Sequence, residues 1–437
     1  MDIFRIEGPV KLNGSISVNG SKNATLPIMA AAILAPGVST ISNAPDLADI
    51  SVCIKLLSEL GCKIERTDNN AIRIDASVID NPVGDYEIVR KMRASICILG
   101  PLLARCRKAA VSMPGGCSIG LRPVDIHLRG LQQLGAKIKL ENGYIIAEAP
   151  QGLIGTEIFL GGPFGSTVLG TANVLMAATL AKGKTVIESA ACEPEVSDLA
   201  NFLNKMGAKI SGIGSPRLVI EGVKQLHPAN HSVIPDRIEA GTFMTAAAIT
   251  AGTLHLCNCR LEDMMAVVDK LRSIGVDVAA ADDGCVVSRT GPLKPADITT
   301  QPYPGFPTDL QAQFMALLAL AEGNSIIVEK VFPDRYMHVA ELNRMAANLR
   351  KEGSTILICG AEKLMGAPVM ASDLRASAAL VVAALAAEGL TIVHRVYHID
   401  RGYEKIEHRL NQVGAKIYRE NDSETSKSLL PALAAND

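Results

Sequence analysis

The feature that most limits what this chain can fold into is a short phrase, Leu-Gly-Ala-Lys-Ile or a close variant, that recurs along its length. Each copy follows a segment with helical apolar periodicity and precedes a short run of β-branched residues. This order predicts a helix, a left-handed glycine just past its end, and then a strand. The copies are LGCKIE (60–65), LGAKIKL (134–140), MGAKISG (206–212), IGVDVAA (274–280), VGAKIYR (413–419) and a weaker KEGSTILICG (351–360).

A second phrase alternates with the first: an Ala-rich helix that ends in Ala-x-Gly and leads into a strand. The two phrases together predict about six modules, each a helix, a strand, a second helix and a second strand. The copies of the first phrase lie about 60–80 residues apart, which is longer than the repeats of solenoid proteins. A chain of 437 residues is also too long for one ordinary core. We therefore expect two similar α/β domains of three modules each, with Ala-rich helices in close-packed interiors.

Composition excludes several classes of function. The net charge is -2, so a basic surface that binds the phosphate backbone of nucleic acid is not expected. Aromatic residues make up 3% of the chain and Trp is absent, so a platform for stacking nucleic-acid bases is not expected either. No signal peptide or membrane-spanning run is predicted. The ten cysteines show no CxxC pair, and Cys257 and Cys259 alone make no metal site, so no metal is expected and a reducing cytoplasm is favoured.

The segment MPGGCSIGLRPVDIHLRG (113–130) places a thiol in a run of turn-forming residues. Arg122 and His127 could tune the pKa of Cys117, and the glycines would allow close approach to a ligand. The chemistry could be nucleophilic, acid–base or redox, and the thiol could also be inert. Arg129, at the end of the segment, is interpreted as a solvated helix residue.

Cationic residues stand at the beginning of several apolar helices, where free backbone N–H groups favour anions. They occur in SKNA (21–24), RKMRASI (90–96) and DLRASAA (373–379). Two further candidate cations are Arg335 in VFPDRYMH (331–338) and Arg401, beside a glycine in HIDRGYEKIEH (398–408). The repeated Arg-Ala-Ser in two halves of the chain suggests paired anion sites facing a common cleft. Asp309 in FPTDLQAQ (306–313) stands just before a predicted helix, where a carboxylate usually caps the helix. The same carboxylate could also act as a general base.

These motifs together resemble the UDP-N-acetylglucosamine 1-carboxyvinyltransferase family (UDP-N-acetylglucosamine enolpyruvyl transferases, in the EPSP synthase superfamily). The resemblance covers roughly residues 1–420. It implies an α/β fold of two domains, each an inside-out α/β barrel of three βαβαββ-type units. The implied domains are 22–234, which carries a Cys117 lid loop, and 1–21 plus 235–420. The tail, 421–437, is expected to be mobile and outside the fold. The motifs are SKNATLP, MRASICILGP, MPGGCSIGLRPVDIHL, EPEVSDLANFL, PDRIEAGTF, FPTDLQAQ, RYMHVAEL, DLRASAAL and YHIDRGYEKIE.

The resemblance implies transfer of the enolpyruvyl group of phosphoenolpyruvate to the 3-hydroxyl of UDP-N-acetylglucosamine, with release of phosphate. This is the first committed step of peptidoglycan synthesis, which links it to cell-wall biogenesis, cell shape and cell division. No cofactor is implied, the substrates are the partners, and fosfomycin-type compounds are the expected inhibitors.

By resemblance, Cys117 is a general acid on a lid, Asp309 is the base for the sugar hydroxyl, and Lys22 and Arg401 complete the catalytic set. The chain departs from the family in GGPFGSTVLGTANVLMAA (161–178), which is a few residues longer, and the Gly/Ser/Thr loop before a helix is interpreted as a diphosphate cradle at 166–168. Glu193, Asp236 and Arg237 match further cleft positions. The expected substrate-binding residues are Lys22, Asn23, Arg93, Arg122, Pro123, Val124, Asp125, His127, Ser166, Thr167, Val168, Asp309, Val331, Arg335, Arg375 and Arg401.

Three alternatives remain open at this level. The chain could be a 3-phosphoshikimate 1-carboxyvinyltransferase, although that family lacks the PGGCSIG-type loop. It could be a non-catalytic paralogue that binds a nucleotide sugar and regulates the pathway, although a decayed site would lose some of the cationic residues. A thiol-redox protein using Cys117 is disfavoured because no resolving cysteine lies near it in the sequence.

Overall fold

A computed structural model describes residues 1–67, 70–114 and 124–422. The strands in these residues are β1 Asp2–Gly8, β2 Asn13–Ser17, β3 Val38–Ser42, β4 Lys63–Thr67, β5 Ala71–Asp75, β6 Val83–Gly84, β7 Lys108–Ser112, β8 Lys137–Glu141, β9 Tyr144–Glu148, β10 Glu157–Phe159, β11 Lys184–Glu188, β12 Lys209–Ser211, β13 Arg217–Glu221, β14 Asn230–Ser232, β15 Thr253–Cys257, β16 Asp277–Ala281, β17 Gly284–Ser288, β18 Asp297–Thr299, β19 Asn324–Val328, β20 Asn348–Glu352, β21 Thr355–Cys359, β22 Pro368–Met370, β23 Gly389–His394 and β24 Ile417–Asn421.

The α-helices are α1 Lys22–Ala32, α2 Ala48–Glu59, α3 Tyr86–Val89, α4 Leu99–Cys106, α5 Asp125–Gln133, α6 Val168–Ala178, α7 Pro194–Lys205, α8 Arg237–Ile249, α9 Met265–Ile274, α10 Gln311–Leu318, α11 His338–Arg344, α12 Leu374–Ala386 and α13 Ile406–Asn411. Short 3₁₀ helices precede or join some of them, at Arg93–Ile98, Leu261–Met264, Thr308–Leu310 and Val396–Arg401. Among the described residues, no helix has the length and apolar character that a membrane span requires.

The described strands form six four-stranded sheets that share one topology. In the sheet β6-β7-β9-β8, the edge strand β6 runs parallel to β7, and the pairs β7–β9 and β9–β8 are antiparallel. The other five sheets repeat this order of one parallel and two antiparallel pairs. Six βαβαββ-type modules are therefore present, as the repeated phrases and the resemblance predict.

Three of the modules are completed by strands from distant parts of the chain. The N-terminal strand β1 lies between β23 and β24. Strand β2 pairs in parallel with β15, and β14 pairs in parallel with β3. The segments that follow β2 and β14 are bonded to each other, since the Ser21 amide donates to the Ile234 carbonyl (2.7 Å) and the Asp236 amide donates to the Asn19 carbonyl (2.8 Å).

The described chain divides into two compact units, one formed by 1–18 with 237–422 and the other by the described residues of 19–236. Each unit has its own apolar core. The sequence-based boundaries, 21/22 and 234/235, and the assignment of each part as an enolpyruvyl transferase domain stay a prediction.

Helices occupy the interior of each unit and the sheets lie outside them. Helix α8 is buried at every residue except Arg237, and α10 is buried along its whole length. By contrast, the strands alternate, so that in β15 Leu254 and Leu256 point inward while the residues between them are more exposed. Both helices combine alanines with larger residues such as Phe243 and Phe314, and small side chains allow a neighbouring helix to approach closely.

Gly100 in α4 marks one such approach. A Cβ at this position would lie 2.2 Å from the carbonyl oxygen of Asn173 in α6. We expect Gly100→Ala to destabilise the protein by about 1–3 kcal/mol, because this overpacking outweighs the ~1 kcal/mol that alanine gains in helix propensity. Gly291→Ala is the matched control, since a Cβ there meets no atom within 4 Å. Equal urea midpoints for the two variants would contradict the packing argument.

Candidate active site

In the unit formed by 1–18 and 237–422, a carboxylate joins two buried arginines. Asp309 lies in the short 3₁₀ helix that leads into α10. Its Oδ1 accepts a hydrogen bond from Nη1 of Arg335 (2.8 Å), and its Oδ2 accepts one from Nη2 of Arg375 (3.1 Å). The arginine side chains are 7% and 3% exposed, whereas the Asp309 side chain is 28% exposed. The arrangement is a rigid cationic group with an accessible carboxylate at its centre.

Arg375 is fixed by hydrogen bonds at its backbone amide and at its guanidinium group. It is the second residue of α12, where the Asp373 carboxylate caps the helix by accepting from the amides of Arg375 (2.9 Å) and Ala376 (3.2 Å). Its Nη1 donates to the Tyr403 hydroxyl (3.1 Å), which also contacts Thr242 Oγ1 (2.8 Å). Sequence reasoning missed Tyr403 as a site residue, although it lies inside the Arg-Gly-Tyr motif that was singled out for Arg401.

Arg335 is positioned by a buried acid. Its Nη1 also contacts Thr308 Oγ1 (3.1 Å), and that hydroxyl donates to Glu329 Oε2 (2.9 Å). The other oxygen of Glu329 accepts from the amides of Val331 (2.8 Å) and Phe332 (2.9 Å). Glu329 thus fixes the loop that carries both Val331 and Arg335. Sequence reasoning missed Glu329 too. The only pattern that could have indicated it is an acidic residue directly after the apolar strand β19.

Two imidazoles near this cationic group are kept neutral. His338 is buried, and burial together with the charge of Arg335 lowers its pKa to about 4 against the opposing charge of Asp373. Burial, and then the charge of Arg401, lower the pKa of His398. Arg401 itself ends the 3₁₀ helix Val396–Arg401 and is half-buried.

In the other unit, Lys22 begins α1 in a buried ion pair. Its backbone amide donates to Asp236 Oδ2 (3.2 Å), and its Nζ donates to Asp49 Oδ2 (3.0 Å). Ser21 caps the helix by accepting from the Ala24 amide (3.4 Å). A lysine that is 8% exposed needs such a partner, because an unpaired buried charge is costly. Asp49 lies in the first turn of α2, and no sequence pattern marked it.

His127, the third residue of α5, is oriented by an amide. Its Nδ1 lies 3.0 Å from Nδ2 of Asn173. The same amide group donates to the carbonyl of Ile96 (2.9 Å) and accepts, through Oδ1, from the amide of Gly100 (2.9 Å). These bonds fix the amide orientation, so Nδ1 of His127 is an acceptor and its proton lies on Nε2.

The glycine-rich segment before α6 is fastened by Arg129. Nη2 of Arg129 donates to the carbonyls of Phe159 (3.1 Å) and Gly161 (3.0 Å). Arg129 is an exposed residue of α5, as the sequence interpretation expected, and these two bonds were not predicted. Thr167 then caps α6 by accepting from the amide of Gly170 (3.3 Å), which leaves Val168 as the first helical residue. The signal that could have found this role is the position of Arg129 on the face of α5 that packs near β10.

The structure therefore brings Asp309, Arg335 and Arg375 into direct contact. It places Val331 and Arg401 in the same unit, and it places Lys22 and His127 in the other. Cys117, Arg122 and Pro123 lie outside the described residues. The further members of the Lys22 unit are Asn23, second in α1, Arg93, first in its 3₁₀ helix, Val124 and Asp125 at the start of α5, and Ser166, Thr167 and Val168 at the start of α6.

Comparison with known proteins adds relatives of nearly the same length. A family model described as EPSP synthase (3-phosphoshikimate 1-carboxyvinyltransferase) matches residues 6–410. A UDP-N-acetylglucosamine 1-carboxyvinyltransferase of Methylacidiphilum infernorum is 53% identical over 420 residues, covering 96% of this chain and 99% of the relative. One of Desulfovibrio desulfuricans is 54% identical over 422 residues, covering 96% of this chain and 100% of the relative.

Among solved structures, the enolpyruvyl transferase NikO from Streptomyces tendae matches with a TM-score of 0.86 at 25% identity, covering 96% of this chain and 98% of that one. This likeness confirms the predicted fold, and the identities above decide the family. The chain belongs to the EPSP synthase family and, within it, to the UDP-N-acetylglucosamine 1-carboxyvinyltransferases.

Proposed function

We propose that this protein is an enzyme that transfers the enolpyruvyl group of phosphoenolpyruvate to the 3-hydroxyl of UDP-N-acetylglucosamine and releases phosphate. The observation that carries the proposal is identity above 50% with UDP-N-acetylglucosamine 1-carboxyvinyltransferases over 96% of this chain. The reaction opens peptidoglycan synthesis, and so serves cell-wall biogenesis, cell shape and division. We propose the cytoplasm as its location, because both substrates are made there.

The addition step needs two proton movements, and the elimination that follows needs a third. The sugar hydroxyl loses a proton as its oxygen bonds to C2 of phosphoenolpyruvate, and the methylene carbon gains one. Loss of a proton from the resulting methyl group then expels phosphate and restores the double bond. In our proposal Asp309 takes the hydroxyl proton and Cys117 supplies the proton to the methylene carbon. Asp309 suits this role because two arginines fix its carboxylate while part of it stays exposed.

The charge of phosphoenolpyruvate calls for several fixed cations. Arg335 engages Asp309 and Thr308 through Nη1, and these bonds do not use its Nη2 and Nε donors. Planar guanidinium groups bind phosphate and carboxylate in a bidentate manner, which a lysine cannot reproduce. We assign phosphoenolpyruvate to the arginines Arg122, Arg335, Arg375 and Arg401, with Arg93 and Lys22 in support.

For the nucleotide sugar, the proposal uses the segment before α6 and the start of α5. The Ser166–Val168 cradle stands at a helix N-terminus, where free N–H groups favour a diphosphate. Its register is supported by the bonds from Arg129 to the preceding loop. His127 would present its Nε2 proton as a donor, because its Nδ1 is engaged with Asn173. A Cys117 lid would exclude water from the intermediate.

The first prediction concerns the acceptor. Phosphate release should require both phosphoenolpyruvate and UDP-N-acetylglucosamine, and shikimate 3-phosphate should not replace the sugar nucleotide. A coupled phosphate assay with each acceptor measures this. Efficient turnover of shikimate 3-phosphate would move the assignment to the 3-phosphoshikimate 1-carboxyvinyltransferases. Binding of the sugar nucleotide without any turnover would instead indicate a regulatory paralogue.

The second prediction concerns Cys117. A fosfomycin-type epoxide should alkylate it, preferentially with the nucleotide sugar bound. Cys117→Asp should retain much of the activity, since a carboxylic acid can also donate a proton, whereas Cys117→Ser should not. The control is Cys359→Ser, because Cys359 is an exposed thiol that the mechanism does not use. Mass spectrometry locates the adduct, and loss of activity in both Cys117 variants would exclude the acid role.

The third prediction concerns Tyr403, a positioning residue. Tyr403→Phe removes one acceptor of Arg375 and should raise the KM for phosphoenolpyruvate about 10-fold, the equivalent of one hydrogen bond to a charged group. The KM for the nucleotide sugar should stay near that of the parent. Tyr418→Phe, at an exposed tyrosine, is the control. Equal changes in both KM values would indicate a general structural effect and not positioning of Arg375.

A further inference from the structure

The outer face of the sheet β16-β17-β15-β2 brings together three metal-ligating side chains that the proposed reaction does not use. His255 and Cys257 are two residues apart on β15, so both point outward while Leu254 and Leu256 enter the core. Asp283 lies in the turn between β16 and β17. One ligand atom from each of the three lies within 4.8 Å of the others.

The scaffold that holds these groups is well defined. The pairing of β15 with β17 sets Cys257 opposite Gly284, beside Asp283. The amide of Asn258 donates to the carbonyl of Asp283 (2.6 Å), which ties the end of β15 to the turn. The three side chains therefore come from two adjacent strand ends whose separation is fixed by backbone hydrogen bonds.

Direct contacts already link the three groups. Nε2 of His255 lies 2.8 Å from Oδ1 of Asp283, and Sγ of Cys257 lies 3.7 Å from Nδ1 of His255. One cation binds one ring nitrogen, so a cation shared by all three side chains would take the place of the His255–Asp283 hydrogen bond at Nε2.

We propose that His255, Cys257 and Asp283 form a binding site for a zinc-class divalent cation. Thiolate, imidazole and carboxylate together are the donor set of zinc and its neighbours, whereas magnesium and calcium prefer oxygen alone. On binding, the cation takes the sulfur electron pair and the thiol proton leaves to solvent. Asp283 contributes a carboxylate oxygen, and water completes the coordination.

The site has room for that water because it is open to solvent. The side chains of His255 and Asp283 are 32% and 61% exposed, as a site with three protein ligands and an open position requires.

The main alternative is a thiol nucleophile activated by a His–Asp pair. The cobalt titration described below distinguishes the two, because an activated thiol without a bound cation would give no thiolate-to-cobalt band.

The test uses cobalt(II) as a spectroscopic probe on the full-length, reduced protein. One equivalent should produce a thiolate-to-cobalt charge-transfer band with tetrahedral visible bands, and zinc(II) should displace it. We expect the Kd for zinc, from this competition, to rise at least about 100-fold in Cys257→Ser and about 10-fold in Asp283→Asn. Cys359→Ser is the matched control and should behave like the parent.

Two results would overturn the proposal: absence of the thiolate band at saturating cobalt, or its survival in Cys257→Ser. Loss of the band in Cys117→Asp but not in Cys257→Ser would assign the metal to a different thiol. A second measurement is the rise in unfolding temperature with zinc, which should disappear in Cys257→Ser. Phosphate release by Cys257→Ser should equal that of the parent, so the metal site and the proposed reaction can fail independently.

Discussion

A helix that is buried on every side can offer chemistry only at its ends, and this constraint organises both units. The inner helices are rich in Ala and aliphatic residues and are packed by sheets and neighbouring helices on all sides. Their N-termini are the positions where a charged side chain stands beside free backbone N–H groups. The candidate residues occur at these starts: Lys22 in α1, Arg93 before α4, Val168 in α6, Arg237 in α8, Asp309 before α10 and Arg375 in α12.

The second constraint is that the buried cationic side chains of the candidate sites need anionic partners even when no substrate is bound. Asp309 does this for Arg335 and Arg375, and Asp49 does it for Lys22. Breaking a buried pair leaves one charge uncompensated, which costs several kcal/mol. The carboxylates therefore have a structural role that does not depend on catalysis. An anionic substrate bound to Arg335 and Arg375 would share them with Asp309, and this places a candidate base next to the bound anion.

Whether a feature of the fold or the site could be predicted depends on how far apart along the sequence its interacting residues lie. The modules, the glycine caps and the helix-start residues are local patterns, and the sequence contains them in full. The partners that orient the site come from distant segments: Tyr403 contacts Thr242, and the backbone of Lys22 contacts Asp236. Neither contact has a local signature, because it depends on which modules become neighbours. For the same reason the bonds of Arg129 to Phe159 and Gly161 were not predicted, and the resemblance assigned 1–21 to the second domain without giving the place of β1 between β23 and β24.

The alternation of buried and exposed residues along each strand also explains why a cation site can exist apart from the candidate active site. Alternate residues of each strand enter the core and are fixed by packing, as Leu254 and Leu256 are. The intervening positions face solvent and can change without cost to the core. His255 and Cys257 occupy two such positions, and backbone pairing holds them beside Asp283. Helix starts thus carry Lys22 and Asp309, while an outer sheet face, free of packing demands, carries the proposed cation site.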